Sequence, residues 1–511
     1  MALSPGSFKR TIQASNGFAI VAEYVPWRES SDVERTAYAI AAASELARHP
    51  RVSAVSITDG AGGGSTVSPL RIAEHFATLA QDIIVNCACR GRTRQDIEAS
   101  GREMAALGLR NVLCVSGDYP ADLSPGRPAP RFEIDSAGQL SLLTALDLKP
   151  ALFAGAVVNA HKRYEREQMP QYHKLELKLG SGAGFIVGQL GYDARKDDEL
   201  IRYLRLRRRE VALLSSVCVL SVGVARRFHA RSVPGCVVTD DLLGLVERQA
   251  KSPDRGRAYF LELAAKQVAI ARGLGYRGVV LGGHRSAEEF LRVLEIADRF
   301  GADDWRSFAK TIQYAWPDSF HYFEADPASG LNLDALERAY AASRAPEARD
   351  AARHAGSTAF QVKRLVHDLV FASDGPVFPY GAALYRGTER AQLINPLRVI
   401  ERALKLSLFG CDDCGDCSLA DAAYLCPVSQ CPKGQRNGPC GGTRDGRCEV
   451  DGRDCLWSRV YDCLKPHGLE DEIVSRPARI ADASLRRTSA WANNFLERDT
   501  RARRRDAGAP S

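Results

Sequence analysis

The sequence lacks the apolar segments that export a chain or hold it in a membrane. Residues 1–10 contain no apolar core of a secretory signal, and no run of about 18 apolar residues occurs in the 511 positions. These absences disfavour a membrane span and predict a cytoplasmic protein, whose thiols stay reduced. Under reducing conditions, a cluster of cysteines is expected to bind a metal or an iron–sulfur centre rather than form disulfides.

Two binding signatures are also missing. No Gly-x-Gly-x-x-Gly follows the first apolar run, which disfavours a doubly wound dinucleotide-binding sheet. Residues 475–511 hold nine Arg against four acidic residues, but no aromatic interleaving or known nucleic-acid-binding pattern accompanies this charge. We therefore expect a basic, partly disordered tail over 467–511 and no specific nucleic-acid partner. An arm that binds nucleic acid or an acidic partner is the alternative.

Short apolar runs alternate with helix-length segments from about residue 17 to 300. Such alternation is typical of βαβ units around a parallel sheet. Eight strand candidates fit a closed (β/α)₈ TIM barrel over 15–301, with a doubly wound sheet as the alternative. The eight candidates are Phe18–Val25, Val52–Ile57, Ile83–Asn86, Asn111–Val115, Leu152–Val158, Gly184–Gln189, Glu210–Val217 and Gly278–Leu281. A helical connector over 302–358 and a smaller, mainly helical, cysteine-rich domain over 359–466 are expected to follow.

Polar residues at the ends of these runs are the candidate site, because a barrel carries its chemistry at the carboxyl ends of its strands. Glu23 lies in an otherwise apolar run, where burial raises a carboxyl pKa and suits it to acid–base catalysis. The alternative is a salt-bridged, structural Glu23. Asp118 follows Gly117 at the fourth strand end, where a turn residue is the alternative. The other strand ends contribute Thr58, Asp59, Asn86, Cys87, Asn159, His161 and Gln189.

Nine of the 14 cysteines fall between Cys411 and Cys463. No His lies in this stretch, so thiolates alone would act as ligands. Three thiolates spaced as Cys-x-x-Cys-x-x-Cys suit three corners of a [4Fe–4S] cluster, and a four-thiolate zinc site is the alternative. Eight of the nine could fill two four-thiolate sites: Cys411, Cys414, Cys417, Cys426, Cys431, Cys440, Cys448 and Cys455.

The barrel residues together resemble the methylenetetrahydrofolate reductase family, whose members are flavin-dependent (β/α)₈ barrels. The resemblance covers about 15–300 and rests on AEYVP, SITDGAGG, AALGLRNVLCVSGDYP and LKLGSGAGFIVGQLGYD. It implies reduction of 5,10-methylenetetrahydrofolate to 5-methyltetrahydrofolate in one-carbon metabolism, with a hydride supplied by bound flavin. FAD is the expected flavin, and FMN remains open because residues 85–89 and Ser116 depart from the family pattern.

The same resemblance implies a role for each candidate residue. Glu23 would be the general acid that protonates folate N10. Asp118 would lie near the flavin pyrimidine and the pterin, and Gln189 would contact the folate. The remaining contacts to flavin would come from Thr58, Asn159 and Lys178.

Residues 411–457 resemble the cysteine-rich C-terminal module that is fused to, or partnered with, some of these reductases. The matching residues include Cys411-x-x-Cys414-Gly415-x-Cys417 and Asn437-Gly-Pro-Cys440-Gly-Gly. The module implies electron relay or docking of a donor, either NAD(P)H or a protein, and the oligomeric state stays open. A zinc-dependent methyltransferase barrel and a non-catalytic, metal-stabilised scaffold are the two alternative functions.

Overall fold

Eight parallel strands form a closed barrel in chain order, with β8 pairing back to β1. The structure is a computed structural model that describes residues 6–26, 33–63, 66–76, 82–120, 132–349, 358–391 and 394–502. The predicted TIM barrel is confirmed. The strands are β1 Ala19–Tyr24, β2 Ala54–Ile57, β3 Asp82–Ala88, β4 Asn111–Val115, β5 Phe153–Val158, β6 Phe185–Gly188, β7 Ala212–Cys218 and β8 Gly278–Gly282.

The strands read as continuous apolar runs because both faces of a parallel barrel are buried. Helices cover the outer face, and several begin at a side-chain cap. Thr93 caps one of them reciprocally with Asp96, and Asp135 accepts from the Ala137 and Gly138 N–H groups at the start of another. The barrel helices are Ser7–Gln13, Val33–Arg48, Pro69–Phe76, Arg94–Ala106, Ser136–Ala145, Glu165–Gly180, Ala194–Leu206, Val222–His229, Asp240–Gln249, Arg257–Leu274 and Ala287–Ala297.

The amino-terminal helix closes the lower end of the barrel. Phe8 and Ile12 are buried, and the Phe8 ring meets the Phe185 ring edge-on at 5.3 Å between centroids. The Asp82 carboxylate accepts hydrogen bonds from the Gly6 and Phe8 N–H groups, which anchors the helix at the start of β3. Because this end is filled with side chains, only the carboxyl ends of the strands can form a binding cavity.

The segment after the barrel differs from the purely helical connector expected. It contains helices Asp304–Thr311 and Arg338–Ser343, and between them a two-stranded antiparallel sheet of β9 Phe323–Ala325 and β10 Asn332–Leu336. The Asn332 N–H groups donate to the Asp198 carboxylate of a barrel helix. This tertiary contact stabilises an extended strand that the local sequence does not predict. Residues 350–357 of the expected connector lie outside the described residues.

The C-terminal region is mainly helical and rich in cysteine, as predicted. Its helices are Thr358–Val366, Phe378–Arg390, Ile394–Phe409, Pro427–Gln430, Leu456–Leu464 and Ala490–Phe495, with a π-helical turn at His367–Phe371. Most of the cysteine-bearing chain between residues 410 and 455 is irregular. A small core around Trp457, Val460 and Tyr424 holds that irregular chain together.

Much of the expected disordered tail is packed. The buried Arg479 pairs with the carboxylates of Asp416 and Asp421, and Phe495 stacks on Tyr385. The prediction of a partly disordered tail is therefore wrong for 467–502, where the carboxylates of Asp416 and Asp421 pair with Arg476, Arg479 and Arg501. Arg503, Arg504 and Arg505 lie outside the described residues. None of the described helices is long and apolar enough to span a bilayer.

Candidate functional site

A cavity of about 220 Å³ opens at the carboxyl ends of the barrel strands. All six barrel residues predicted for the site line it, although they come from six different elements. They are Glu23 from β1, Thr58 after β2, Asp118 after β4, Asn159 after β5, Gln189 after β6, and Lys178 from the helix Glu165–Gly180. The strand ends thus bring together residues that are up to 166 positions apart in sequence, and Lys178, which the family resemblance implied, joins them from a helix.

Glu23 is held in a desolvated position near the end of β1. Burial raises the pKa of its carboxyl, and no ion pair to it occurs within the described ranges. The alternative of a salt-bridged structural glutamate is therefore not supported. A Cβ atom on residue 282 would lie 2.1 Å from Glu23 Oε2, so only glycine at the end of β8 leaves room for the carboxyl. Gly282 thus leaves the space that the protonatable carboxyl of Glu23 occupies at the cavity.

Asp118 joins two loops at the barrel mouth. Its carboxylate accepts a 2.7 Å hydrogen bond from the Gly62 N–H in the loop after β2. The preceding Gly117 has a φ of +82°, which glycine adopts without strain. Burial raises the pKa of Asp118, whereas the nearby Lys433 lowers it and Glu449 raises it. Asp118 is therefore a turn residue that also presents its carboxyl to the cavity.

The neutral polar residues offer hydrogen-bonding groups to a ligand. Asn159 Nδ2 donates to the carbonyls of Gly235 and Gly441 at 3.1 and 3.2 Å. Thr58 Oγ1 and Gln171 Nε2 are buried at the cavity and have no hydrogen-bond partner among the residues described. Two orphaned polar atoms of this kind indicate a site built for a polar ligand.

Lys178 is the cation at the floor of the cavity. Its ammonium donates to the Val157 carbonyl. Burial lowers its pKa to about 7, and the neighbouring charge of Lys174 contributes to the shift. Lys178 can therefore exchange a proton near neutral pH.

Two other strand-end residues point elsewhere. His161 Nε2 lies 3.4 Å from the Asp197 carboxylate, and Cys87 Sγ accepts a hydrogen bond from Arg92. Asp59 lines the cavity but is engaged by the Ala88 N–H and by Arg92. A position at a strand end therefore selects the region of the site but not the direction of each side chain.

Residues 431–449 of the cysteine-rich region form a roof over the cavity, and we call this segment the cap. Lys433 Nζ donates to the Gly117 carbonyl at 2.7 Å and pairs with Glu449. Asn437 donates its backbone and side-chain N–H groups to the Asp135 carboxylate at 2.8 and 2.9 Å. The cavity is thus shared between the barrel and the C-terminal region.

Sequence reasoning assigned no role to Lys433, Gly441, Gly442 or Glu449, all of which line the cavity. Each of the four lies within two residues of a cysteine of the ordered motif. That position marks the segment, but it does not predict which groups these side chains contact.

The first four predicted cysteine ligands lie around one small cavity. This cavity is lined by Cys411, Cys414, Cys417 and Cys426. Burial raises the pKa of the Cys414 thiol, and the neighbouring thiols of Cys417 and Cys426 raise it further. Lys405 Nζ lies 3.7 Å from Cys417 Sγ. Lys405 also lowers the pKa of the Cys411 thiol, against the larger effect of burial.

The other four form a second group, and three of them belong to the cap itself. Burial and the neighbouring thiols of Cys440 and Cys448 together raise the pKa of Cys455 to about 12. Burial and the neighbouring thiols of Cys440 and Cys455 also raise the pKa of Cys431. Cys440 also lines the barrel cavity. The ninth thiol, Cys463, lies apart from both groups. Burial and Asp462 raise its pKa and Arg459 lowers it, and no other thiol contributes.

No three His, Cys, Asp or Glu side chains in the described part of the chain are arranged to hold one metal ion. The eight cysteines thus form two groups of four, and neither group has its thiols placed close enough to bind a single metal ion. Metal or cluster binding stays a prediction at this point.

A family model for methylenetetrahydrofolate reductase matches residues 8–268, which is just over half of the chain. A second model, described as the C terminal of methylenetetrahydrofolate reductase, matches residues 394–484. No curated protein matches the sequence.

Three solved structures are similar to part of this chain. An uncharacterized protein from Clostridium thermocellum that binds two copies of 5-methyl-5,6,7,8-tetrahydrofolic acid is 12% identical, with a TM-score of 0.43 over 57% of this chain and 97% of that one. Tryptophan synthase from M. tuberculosis is 13% identical, with a TM-score of 0.33 over 59% and 100%. A 2,3-dimethylmalate lyase is 10% identical, with a TM-score of 0.33 over 58% and 84%. At these values none of the three bears on function.

Proposed function

Because the chain belongs to the methylenetetrahydrofolate reductase family, and is therefore an oxidoreductase that acts on folate, we propose that it reduces 5,10-methylenetetrahydrofolate to 5-methyltetrahydrofolate with a bound flavin. The observation that carries the proposal is the desolvated Glu23 carboxyl in a cavity with neutral polar side chains. The reaction breaks the bond between the methylene carbon and N10, adds a hydride to that carbon and adds a proton to N10.

The cavity suits a planar heterocycle with alternating hydrogen-bond donors and acceptors. Thr58 Oγ1 and Gln171 Nε2 are free to bond such a ring, and Gln189 offers an amide group beside them. Bound flavin would supply the hydride, which no side chain can provide. We propose FAD as the flavin, with FMN as the alternative. Thr58, Asn159 and Lys178 are the residues that would hold it.

Glu23 is the proposed general acid. A carboxyl with a raised pKa keeps its proton closer to neutral pH than an exposed one, so it can deliver that proton to N10. Asp118 would bind the pterin and influence the flavin pyrimidine, and Gln189 would hold the folate. Because no charged partner among the described residues stabilises ionised Glu23, proton delivery costs free energy unless positive charge develops on the substrate as its bridge opens.

The cap limits the room for both ring systems. Ligand pockets usually measure about 300–1,000 Å³, whereas this cavity holds about 220 Å³. The proposed binding of flavin and folate together therefore requires the cavity to enlarge. Lys433 and Glu449 would remain in the roof above the bound rings.

We propose that each group of four cysteines binds a [4Fe–4S] cluster, with zinc as the alternative. A four-iron cube keeps its thiolates farther apart than a single ion does, and the first group surrounds a cavity rather than a closed cage. Such clusters transfer single electrons. Cys440 belongs to the second group and also lines the barrel cavity, which supports an electron route from the cysteine-rich region to the flavin.

A protein electron donor is favoured over direct use of NAD(P)H by an exposed apolar face beside the first cysteine group. Val362 and Leu365 of one helix are 59% and 58% exposed, and Leu404 and Leu408 of another are 47% and 64% exposed. A groove of about 570 Å³ between these helices reaches Lys405 and Cys417. Clustered apolar residues rimmed by polar groups are typical of interaction sites.

One observation favours the zinc methyltransferase alternative. That function needs thiolate-bound zinc above the barrel, and one thiol of the second cysteine group, Cys440, does line the barrel cavity. The reductase remains preferred because family models match both regions of the chain. Metal content separates the two functions directly.

The test is anaerobic purification followed by an absorption spectrum, iron, sulfide and zinc analysis, and assay with reduced viologen and 5,10-methylenetetrahydrofolate. We expect flavin bands, a broad iron–sulfur shoulder and formation of 5-methyltetrahydrofolate. A colourless zinc protein that forms no methylfolate would overturn the proposal.

A further inference from the structure

Two oppositely charged side chains of the cap sit in the barrel cavity. The side chains of Lys433 and Glu449 are only 3% and 7% exposed, and both line the same space as Glu23 and Asp118. A buried ion pair usually stabilises a fold little, because both charges lose their hydration. Fold stability therefore does not explain why this ion pair lies at a binding cavity, and a role in ligand binding does.

Lys433 is fixed by several partners. Its ammonium pairs with Glu449, donates to the Gly117 carbonyl at 2.7 Å and lies 5.8 Å from the centre of the Phe132 ring. Gly117 directly precedes Asp118. Lys433 thus ties the cap to the strand end that carries Asp118.

Glu449 is only half satisfied. Its Oε1 atom pairs with Lys433 and accepts from Cys440 Sγ at 3.7 Å. Its Oε2 atom is buried without a hydrogen-bond partner within the described residues. A Cβ atom on residue 442 would lie 1.6 Å from that oxygen, so Gly442 is what allows the carboxylate to lie there. A buried carboxylate oxygen without a donor indicates that the ligand supplies one.

We propose that the cap completes the folate site, with Glu449 accepting a hydrogen bond from the exocyclic amino group of the pterin and Lys433 positioning Glu449 and Asp118. This inference rests on the proposed function. The pterin edge presents a ring N–H beside an amino group, so it offers three N–H donors. Two carboxylates, Asp118 and Glu449, can share them. The flavin pyrimidine presents one N–H between two carbonyls, which would repel a second carboxylate.

The experiment measures binding of 5-methyltetrahydrofolate to the flavin-loaded holoenzyme by calorimetry, for wild type, Glu449→Gln and Asp454→Asn. Asp454 is a matched control, because it also adjoins a cysteine of the second group but is exposed and lies outside the cavity. Loss of a charge-assisted hydrogen bond predicts about 10- to 100-fold weaker binding for Glu449→Gln. Asp454→Asn should bind as wild type does, and all three should keep equal flavin and iron.

A folate analogue without the exocyclic amino group identifies the contact. Wild type should bind the analogue about 10- to 100-fold more weakly than the parent folate, whereas in Glu449→Gln this difference should shrink to the part that Asp118 contributes. If Glu449→Gln weakens both ligands equally, Glu449 only supports the fold and the proposal fails. Wild-type-like affinity in Glu449→Gln would also overturn it.

Lys433 is tested as a positioning residue. Lys433→Gln should raise KM for methylenetetrahydrofolate more than it lowers kcat, and Lys433→Arg should restore part of the KM because guanidinium can keep both contacts. Equal changes in kcat and KM with no recovery in Lys433→Arg would contradict this role. If wild type itself binds no folate, the proposed function fails as well, which distinguishes that outcome from failure of the cap alone.

Discussion

Asn159 Nδ2, at the end of the fifth barrel strand, donates a 3.2 Å hydrogen bond to the carbonyl of Gly441 in the cap. Lys162, three residues later, donates to the same carbonyl at 2.6 Å. Two donors from one strand end thus converge on one glycine carbonyl that lies almost 280 positions later in sequence. The barrel and the cysteine-rich region therefore form one cavity.

Replacement of Glu23 should separate the two half-reactions. In Glu23→Gln we expect methylfolate formation to fall by about 10²–10⁴-fold, since the amide cannot deliver a proton. Flavin reduction by viologen needs no proton from Glu23 and should stay within about twofold of wild type. Glu288→Gln, an exposed glutamate of a barrel helix, is the control. Unchanged methylfolate formation in Glu23→Gln would remove Glu23 from this role.

The raised pKa of Glu23 also predicts how stability depends on pH. Burial holds the pKa of the folded state above the ordinary value of 4.5, so the folded protein binds this proton more tightly than the unfolded chain does. The contribution to stability is therefore complete below that ordinary value and is lost as pH rises towards the folded-state pKa. The Tm difference, Glu23→Gln minus wild type, should become more positive between pH 5 and pH 8. A constant difference would mean that the carboxyl does not titrate there.

Gly282 should be intolerant of a side chain. In Gly282→Ala the new Cβ would lie 2.1 Å from Glu23 Oε2, so the carboxyl must move. We expect kcat for folate reduction to fall at least tenfold and stability to fall by about 1–3 kcal/mol. Gly223→Ala is the matched control, because a Cβ there meets nothing within 4 Å. Wild-type kcat in Gly282→Ala would show that the position of the Glu23 carboxyl is unimportant.

The grouping of the cysteines predicts which thiols matter for iron. Cys414→Ala should lose most of one cluster, about half of the iron, while flavin content stays unchanged. Cys463→Ala removes a thiol outside both groups and should keep all the iron. Iron and acid-labile sulfide analysis of anaerobic protein checks this. Equal iron in both variants, or stoichiometric zinc without iron, would contradict the cluster assignment.

The apolar face predicts a donor effect. Leu404→Ser combined with Leu408→Ser should weaken turnover with a protein donor about tenfold and leave viologen-driven turnover unchanged. Leu206→Ser, a barrel leucine that is 50% exposed, should affect neither. Equal losses with both donors would indicate a folding defect instead of a docking site.

The barrel could be predicted from sequence because each strand is a self-contained apolar run and most of the site residues lie at or just after the end of one. Gly117 and Asp118 show this, since a strand end, a glycine and an acid are adjacent in the chain. The role of Lys433 could not be predicted, because its partner Gly117 lies 316 positions away and no local pattern encodes such a contact. The burial of Arg479 could not be predicted either. The arginine-rich sequence around it predicts an exposed side chain, whereas buried Asp416 and Asp421 pair with it.

The most direct test of the account is an anaerobic single-turnover experiment. The flavin of the holoenzyme is first reduced with viologen, excess donor is removed, and 5,10-methylenetetrahydrofolate is added while flavin absorbance is followed. The account predicts reoxidation of the flavin and one 5-methyltetrahydrofolate per flavin. A flavin that stays reduced, with no methylfolate formed, would contradict it.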